Sequence, residues 1–343
     1  MQAGSKIYIL RRDNIMKKIV ALLVVLACAV SAIPSFAEDW VAAMTVAETT
    51  TNYKMVAKFA ELLKEKTNGE YTLELYPSGQ LGNDFVEAVV AGSITMGTGT
   101  TTDLISFVPE MGLFDLPNLF NDLKQMRAFL RSDYAKKTIN TYCEAVGIHM
   151  LAFSDAGFRQ LTTTSKKITS IDDLASMKIR VMTNPYHIMY WNAIGASATP
   201  IEFSELFMAL QQNTIDGEEN PYMNIVGNNL HEVQKYIVET NHIGHIITFF
   251  MNNDTYQSLP EETRKIVDQC AEEAAKFAEG VAEQSIELDK ATCLKAGCEI
   301  LTIGEADYAK LREKAAVVYD AVRKNLGNEK VDGMLNAIAG LKD

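Results

Sequence analysis

Arg180 is the residue in this chain whose type and setting are best suited to binding an anion. It stands between Ile179 and Val181, in a short apolar segment that predicts a strand. A guanidinium is permanently charged, and its parallel N–H donors match the two oxygens of a carboxylate. A buried arginine without a partner is costly, so this side chain needs one. The residues alone leave two partners open: a bound carboxylate, or an Asp or Glu of the protein itself.

Catalytic and metal-binding patterns give little support for an enzyme. The sequence contains no nucleophile elbow, Walker loop or zinc-protease helix motif, and residues 97–99 lack the third glycine of a dinucleotide fingerprint. His242 and His245 could bind a metal on a helix, but their segment predicts the start of a strand, where that spacing puts them on opposite faces. We therefore expect a protein that is not an enzyme, with no catalytic residue, no metal site and no cofactor.

The first residues carry the pattern of a secretory signal peptide. After Met16 come Lys17 and Lys18, an uncharged apolar run over residues 19–30, Pro34, and then Ser35-Phe36-Ala37. A basic start, a short apolar stretch and small residues before a cut site are typical of such peptides. The apolar run is shorter than the ~20 residues of a membrane span.

This pattern predicts that residues 16–37 are removed after Ala37 and that the mature protein is periplasmic. Residues 1–15 then reflect an upstream start codon. A lipid-modified Cys28 is the alternative, and it fits less well because the bulky Leu26 stands two residues before it.

The charge of the chain limits its partners. The leader carries five Lys or Arg and one Asp, a net of +4, so its removal takes the charge from −12 to −16. So acidic a protein is an unfavourable partner for nucleic acid or anionic lipid. An anionic ligand would need a cation placed locally to meet it.

Four cysteines follow the predicted cut site, at positions 143, 270, 293 and 298. Cys293 and Cys298 could form a disulfide if a helix ends between them, and an oxidising compartment would permit it. Cys270 and Cys293 fall on one predicted helix, about 34 Å apart, and cannot pair. Buried unpaired thiols are the alternative, and the spacing matches no zinc site.

Strand patterns alternate with helical ones along the chain, as over Tyr71–Tyr76 and Lys178–Met182, which predicts an α/β fold with largely parallel sheets. Asn184-Pro185 is typical of a helix start. A helix beginning near Pro260 continues without proline to about Lys295. One small domain cannot cover a helix of that length, so we expect it to span two.

Three blocks of the sequence resemble the solute-binding proteins of TRAP (tripartite ATP-independent periplasmic) transporters, the DctP family, whose members bind sialic acid, uronates or C4-dicarboxylates. The order and spacing of the blocks match over nearly all of residues 38–343. The blocks are the loop Tyr76–Gly82; Gly157–Thr162 with Ile171–Leu174 and Lys178–Val181; and Gly195–Ser197, Pro200–Glu205 and Asp216–Pro221.

The resemblance implies roles for several residues. Arg180 would hold the ligand carboxylate, Asn220 would donate to the same group, and Phe203 would pack against the ligand body. Arg159 matches a second arginine that approaches the ligand in sialic acid binders. The residues leave alternatives open: a turn-forming Asn220, a core Phe203, and an Arg159 held in a salt bridge.

Two further site residues are expected from the loops after the first and third strands. Glu48 and Thr100 match regions that touch the far end of the ligand, so they are candidates to hydrogen-bond its hydroxyl groups. Solvated loop residues are the alternative.

The resemblance also implies a periplasmic-binding-protein-like fold of two α/β domains, with the ligand in the cleft and the long helix spanning both. Residues 38–157 with 246–286 would form one domain, and 158–245 with 287–343 the other. We expect a monomer that delivers a sialic, uronic or aldonic type of acid to small and large membrane subunits. A C4-dicarboxylate binder, a sensor input and a periplasmic enzyme on acidic sugars are the alternatives.

Overall fold

A computed structural model of the protein describes residues 38–341. The predicted signal peptide of residues 16–37, the cut after Ala37 and the alternative lipid site at Cys28 lie outside the described residues. From Asp39 onward the chain packs as one compact unit. Within the described part of the chain, no helix is both long and apolar enough to cross a membrane.

The strands are β1 (Glu38–Ala43), β2 (Tyr71–Tyr76), β3 (Met96–Thr100), β4 (Ile148–Phe158), β5 (Gln160–Thr163), β6 (Lys178–Val181), β7 (Ser197–Pro200), β8 (Gly217–Asn220), β9 (Tyr236–Glu239), β10 (Gly244–Asn252) and β11 (Glu299–Thr302).

The helices are α1 (Thr51–Lys66), α2 (Phe85–Val90), α3 (Thr101–Leu104), α4 (Leu123–Leu130), α5 (Asn140–Glu144), α6 (Pro185–Ile194), α7 (Leu206–Gln211), α8 (Tyr222–Gly227), α9 (Asn253–Ser258), α10 (Glu261–Lys295), α11 (Glu305–Leu326) and α12 (Asn328–Ala339). A π-helical turn covers Tyr134–Ile139, and 3₁₀ turns cover Pro109–Leu113, Ile171–Leu174, Phe203–Glu205 and Leu230–Glu232.

The strands form two sheets, which confirms the predicted fold class. The first has the order β2-β1-β3-β10-β4 and the second β11-β9-β5-β8-β6-β7. Each sheet contains one strand that runs against its neighbours, while the pairs β1–β3, β11–β9, β6–β7 and β6–β8 are parallel, so the sheets are largely parallel with one exception each. Strand β10 runs antiparallel to β3 and β4, and β5 runs antiparallel to β8 and β9. The domain boundaries near residues 157, 245 and 286 stay a prediction.

The mixed direction follows from strands that pass between the sheets. Strand β4 of the first sheet leads into β5 of the second through Arg159 alone, and β9 of the second leads into β10 of the first. A strand that crosses in this way joins its new sheet against the direction of its neighbours. The left-handed backbone of Gly157, with φ of 88°, lies just before the first crossing.

Helix α6 begins where its sequence predicts. The side chain of Asn184 accepts a hydrogen bond from the Tyr186 N–H (2.9 Å), and Pro185 occupies the first turn. At the other end Gly195 adopts a φ of 106°, which a side chain would strain. These ends fix the position of the helix that follows β6.

Helix α10 is 35 residues long, which confirms the predicted long helix. At about 1.5 Å per residue it spans some 50 Å, and it packs on α1 and β4 at one sheet and on α8 and β11 at the other. Its buried face carries small residues, Ala271, Ala274 and Ala278, which let its backbone lie close to its neighbours.

An ion pair ties this helix to the first sheet. Arg127 on α4 donates from Nε to the fully buried Asp155 on β4 (2.8 Å) and from Nη1 to Glu283 on α10 (2.9 Å). Breaking a buried pair leaves an uncompensated charge in a medium of low polarity.

We expect Arg127→Met to lower the free energy of unfolding by about 3 kcal/mol, because Asp155 would lose its cation. Urea denaturation measures the change. Lys137→Met is the control: the exposed pair of Lys137 with Asp133 (3.2 Å) should contribute less than about 0.5 kcal/mol. Equal losses in the two variants would contradict this role of the buried pair.

Candidate functional site

Arg180 lies in β6, between β7 and β8 of the second sheet. In register it stands opposite Thr199 on one side and Glu218 on the other. Its side chain is buried, with 3% exposed. The Nε–H donates to the Ile201 carbonyl (2.8 Å), while Nη1 is buried without a hydrogen-bond partner.

The protein's own acids do not neutralise this guanidinium. No carboxylate within residues 38–341 forms an ion pair with Arg180. Burial, followed by the positive charge of Arg159, lowers the pKa of Arg180 to about 10. The sequence left two partners open for Arg180, a bound carboxylate or an Asp or Glu of the protein. The second of these is not observed.

Arg180 faces a cleft of about 240 Å³. The cleft residues come from segments that follow the carboxyl ends of β1, β2, β3, β6 and β7, the edge where α/β sheets commonly hold ligands. They are Thr45, Ser78, Gly79, Asn83, Thr102, Asp103, Arg180, Met182, Thr183, Glu202, Phe203 and Ser204.

Phe203 lines the cleft beside the arginine. The Arg180 Cζ lies 5.7 Å from the centroid of the Phe203 ring, a cation–π distance. Phe203 begins a 3₁₀ turn, is only partly buried, and packs against the edge of the apolar cluster that contains Leu206 and Leu210. The ring covers one face of the guanidinium and leaves its edge donors for a planar anion.

Two carboxyl groups also line the cleft, and sequence reasoning missed both. Asp103 accepts hydrogen bonds from the Thr100 N–H (2.6 Å) and hydroxyl (2.9 Å), and burial raises its pKa. Glu202 accepts from the Thr183 hydroxyl (3.0 Å). The sequence around Asp103 offered one signal, the capping-box spacing from Thr100 to Asp103. That spacing indicates the start of a helix and does not indicate a binding site.

All three nitrogens of the Arg159 guanidinium already have partners within the protein. It is buried at the crossing between the sheets and bonds Glu219 through both Nε and Nη2, the latter at 2.9 Å from Oε1. Its Nη1 contacts His245 Nδ1 at 2.6 Å. It is not among the cleft residues and borders a separate void of about 10 Å³. The geometry favours the salt-bridge alternative over ligand contact.

Two histidines complete this buried cluster. His242 Nε2 lies 3.0 Å from Glu219, on the same ion pair that His245 contacts. The expectation that they occupy opposite faces of a strand is wrong, because His242 lies in the turn before β10. Burial alone would raise the pKa of Glu219, yet Arg159, His187 and His242 hold it well below its usual range. Across residues 38–341 no group of three or more metal-binding side chains could hold an ion.

Asn220 ends β8 and is buried instead of projecting from a turn. Its amide donates to Glu218 (2.5 Å) and its oxygen accepts from Asn224 (3.3 Å). Glu218 also accepts from the Thr162 hydroxyl (2.7 Å), and burial raises its pKa to about 7. Asn220 is absent from the cleft lining, but it lies two residues beyond Glu218, the neighbour of Arg180 across the sheet.

The two remaining candidates lie near the cleft but do not line it. Glu48 is exposed in the turn after β1, a segment that reaches the cleft through Thr45. Thr100 directs its hydroxyl to Asp103 and borders the small void beside Arg159.

Asn184 links the cleft segments of the two sheets, a contact that sequence reasoning missed. Its amide donates to the Thr102 hydroxyl (2.9 Å) and to Asp115 (2.7 Å). The same side chain caps α6, so the end of that helix is fixed to the segment after β3.

A second cavity, of about 280 Å³, lies beside α10 and β4. Its cations are already paired: Arg131 with Glu279, and both Lys136 (3.6 Å) and Lys276 (3.2 Å) with Glu272. The cleft at Arg180 is therefore better suited to an anion.

Known proteins are similar to this chain in both sequence and fold. A family model described as bacterial extracellular solute-binding protein, family 7 (DctP), matches residues 42–325. The chain is 30% identical over 318 residues to the C4-dicarboxylate-binding periplasmic protein DctP of Rhodobacter capsulatus, covering 90% of this chain and 93% of the relative.

Two solved structures are similar throughout. The sugar acid binding protein of Advenella mimigardefordensis in complex with galactonate aligns with a TM-score of 0.84 and 27% identity, covering 88% of this chain and 98% of that one. A TRAP periplasmic solute-binding protein of Roseobacter denitrificans with bound β-D-glucuronate gives 0.83 and 28%, covering 89% and 100%. The chain therefore belongs to the bacterial extracellular solute-binding proteins of family 7, the DctP family of TRAP transporters.

Proposed function

We propose that this protein is exported to the periplasm, captures a small organic acid with its carboxylate on Arg180, and delivers it to the small and large membrane subunits of a TRAP transporter. The single observation that carries the proposal is the buried guanidinium facing the cleft with an unsatisfied Nη1. It acts by binding alone, without catalysis.

The energetics of Arg180 favour capture of an anion. The unpaired charge is unfavourable in the empty protein, as its lowered pKa indicates. A carboxylate can accept two parallel N–H bonds from the free edge of the guanidinium. Since both ions lose water as the cleft closes, their attraction strengthens in a less polar surrounding.

The cleft supports a ligand with one carboxylate and several hydroxyls. Arg180 is the cation among its lining residues, and Asp103 and Glu202 are the acids. Carboxyl oxygens accept hydrogen bonds from hydroxyls but repel a second carboxylate. The galactonate and glucuronate complexes of related proteins agree with an aldonic or uronic acid. The C4-dicarboxylate named for the Rhodobacter relative is the alternative.

Closure would use the two crossings between the sheets as hinges. One is the junction of β4 and β5 at Arg159, and the other is residues 240–243 between β9 and β10. On this proposal, residues 38–157 with 246–286 move against 158–245 with 287–343, and α10 bends or pivots with them. The closed form is what the membrane subunits recognise.

Arg180→Ala should weaken binding of any cognate acid at least about 100-fold, because two charge-assisted hydrogen bonds are lost. Titration calorimetry measures the affinity. The melting temperature of the unliganded variant should equal or exceed that of the wild type, since an unpaired buried charge has been removed. Arg323→Ala, at the exposed pair with Asp332 (2.7 Å), is the matched control. Unchanged affinity in Arg180→Ala would refute the site.

A thermal-shift panel should separate the two ligand classes. Aldonates and uronates should raise the melting temperature, because a ligand that binds only the native state stabilises it, while succinate should raise it less. Glu202→Gln removes one negative charge from the cleft without disturbing the core. In this variant the rise in melting temperature with succinate should come closer to the rise with aldonates and uronates. A larger shift with succinate than with every sugar acid would overturn the sugar-acid assignment.

Binding should weaken about three- to tenfold as pH rises from 6 to 8, because Glu218 loses its proton near pH 7 and its charge then opposes the ligand carboxylate. Glu219 stays charged throughout, held by Arg159, and the pKa of the neighbouring His187 is raised. In Glu218→Gln the affinity should depend less on pH, and only the part of the dependence due to His187 should remain. Calorimetry across this pH range measures the affinity. A pH dependence as steep in Glu218→Gln as in the wild type would contradict the role of Glu218.

A further inference from the structure

The carboxyl end of α10 adopts the Schellman arrangement. The Cys298 N–H donates to the Cys293 carbonyl (3.0 Å) and the Gly297 N–H to the Leu294 carbonyl (3.1 Å). Gly297 takes the left-handed conformation that this ending requires, with φ of 96°. In such an ending the side chains three residues before the cap and two after it come into contact. Here those two side chains are Cys293 and Cys298.

The backbone geometry permits a disulfide between them. With about 1.5 Å from N to Cα and about 2.8 Å from O through C to Cα, a 3.0 Å hydrogen bond holds the two Cα atoms within about 7.3 Å. The path bends at the carbonyl, which brings them closer, into the range of about 4.4–6.8 Å that disulfides span. Cys143 and Cys270 are buried elsewhere, on α5 and in the middle of α10.

The Cys298 thiol lies 3.4 Å from the His231 carbonyl and 3.3 Å from the Gln234 carbonyl. A hydrogen bond between the two thiols raises the pKa of Cys293 and lowers that of Cys298. Both side chains belong to one apolar cluster with Leu210, Tyr222 and Ile237. Since they are buried in the folded chain, an oxidant reaches them before this cluster has closed.

We propose that Cys293 and Cys298 form an intrachain disulfide in the mature protein, closing a six-residue ring that fixes the end of α10 to the start of β11. The proposal rests on the proposed export, because an oxidising compartment is required. The oxidant is the disulfide of a periplasmic thiol oxidoreductase. The Cys298 thiolate attacks it to form a mixed disulfide, and Cys293 then displaces the oxidoreductase. Two thiols lose two protons and two electrons, and the oxidant becomes a dithiol.

The cross-link would act on the element that both sheets share. Helix α10 packs on β4 at one end and on β11 at the other, and β11 pairs with β9, which leads into the second crossing. A covalent ring at this end stops the last turn of the helix from fraying, so that a movement of the second sheet is passed to the helix as a whole.

The test alkylates protein recovered from the periplasm with iodoacetamide, under denaturing conditions and without reductant. The mature chain has four cysteines, and we expect only Cys143 and Cys270 to react, with all four reacting after reduction. Peptide mapping should find Cys293 joined to Cys298. The double variant Cys143→Ser/Cys270→Ser should keep the cross-link, while Cys293→Ser should leave three reactive thiols. Four reactive thiols in the unreduced wild type would overturn the proposal.

A refolding experiment separates this inference from the proposed function. The purified mature chain is refolded in a glutathione redox buffer, where the oxidised form should gain a few degrees in melting temperature over Cys293→Ser/Cys298→Ser. If the cross-link forms but no organic acid binds, the disulfide is supported and the proposed function is contradicted. If the chain refolds with four free thiols and binds an organic acid, the proposed function is supported and the disulfide is contradicted.

Discussion

The guanidinium of Arg180 is buried without a carboxylate partner among the described residues, and the site is built around that unfavourable charge. Its protein contacts are the Ile201 carbonyl and the Phe203 ring, both from the segment after β7. The sheet tolerates the charge because the flanking Ile179 and Val181 are fully buried and hold β6 in place. An anion entering the cleft relieves an existing cost, and an exposed cation could not offer that gain.

Arg159 and Arg180 are both buried, but their charges have different roles in the molecule. Arg159 bonds Glu219 at a crossing between the sheets, where a complete ion pair fixes the backbone without leaving a free charge. Arg180, two strands away, has no such ion pair, and on the proposed function its charge binds the ligand carboxylate. If Glu219 faced Arg180 instead, the guanidinium would be neutralised and Arg159 would lose its ion pair at the crossing. The lowered pKa of Glu219 and of Arg180 reflect these opposite situations.

Sequence patterns predicted local features well, but they predicted poorly which distant residues come into contact. The long helix, the start of α6 and the setting of Arg180 each depend on neighbours in sequence, so they were predictable. The pairing of β3 with β10 joins residues 150 positions apart, and that of Arg159 with Glu219 joins residues 60 positions apart, and both follow from strand order. Asp103 was missed because its capping role explains it locally, although the same side chain lines the cleft.

Selectivity in such a cleft follows from what surrounds the bound carboxylate. On the proposed function, Arg180 attracts every small organic anion alike, and Asp103 and Glu202 discriminate among these anions by accepting hydrogen bonds from hydroxyls and repelling a second negative charge. Asn184 determines how close these groups come, since it joins the segment after β3, which carries Asp103, to α6 behind β6. On the proposed function, residues from both sheets therefore contact the ligand, and all of these contacts form together only when the two sheets have moved towards each other.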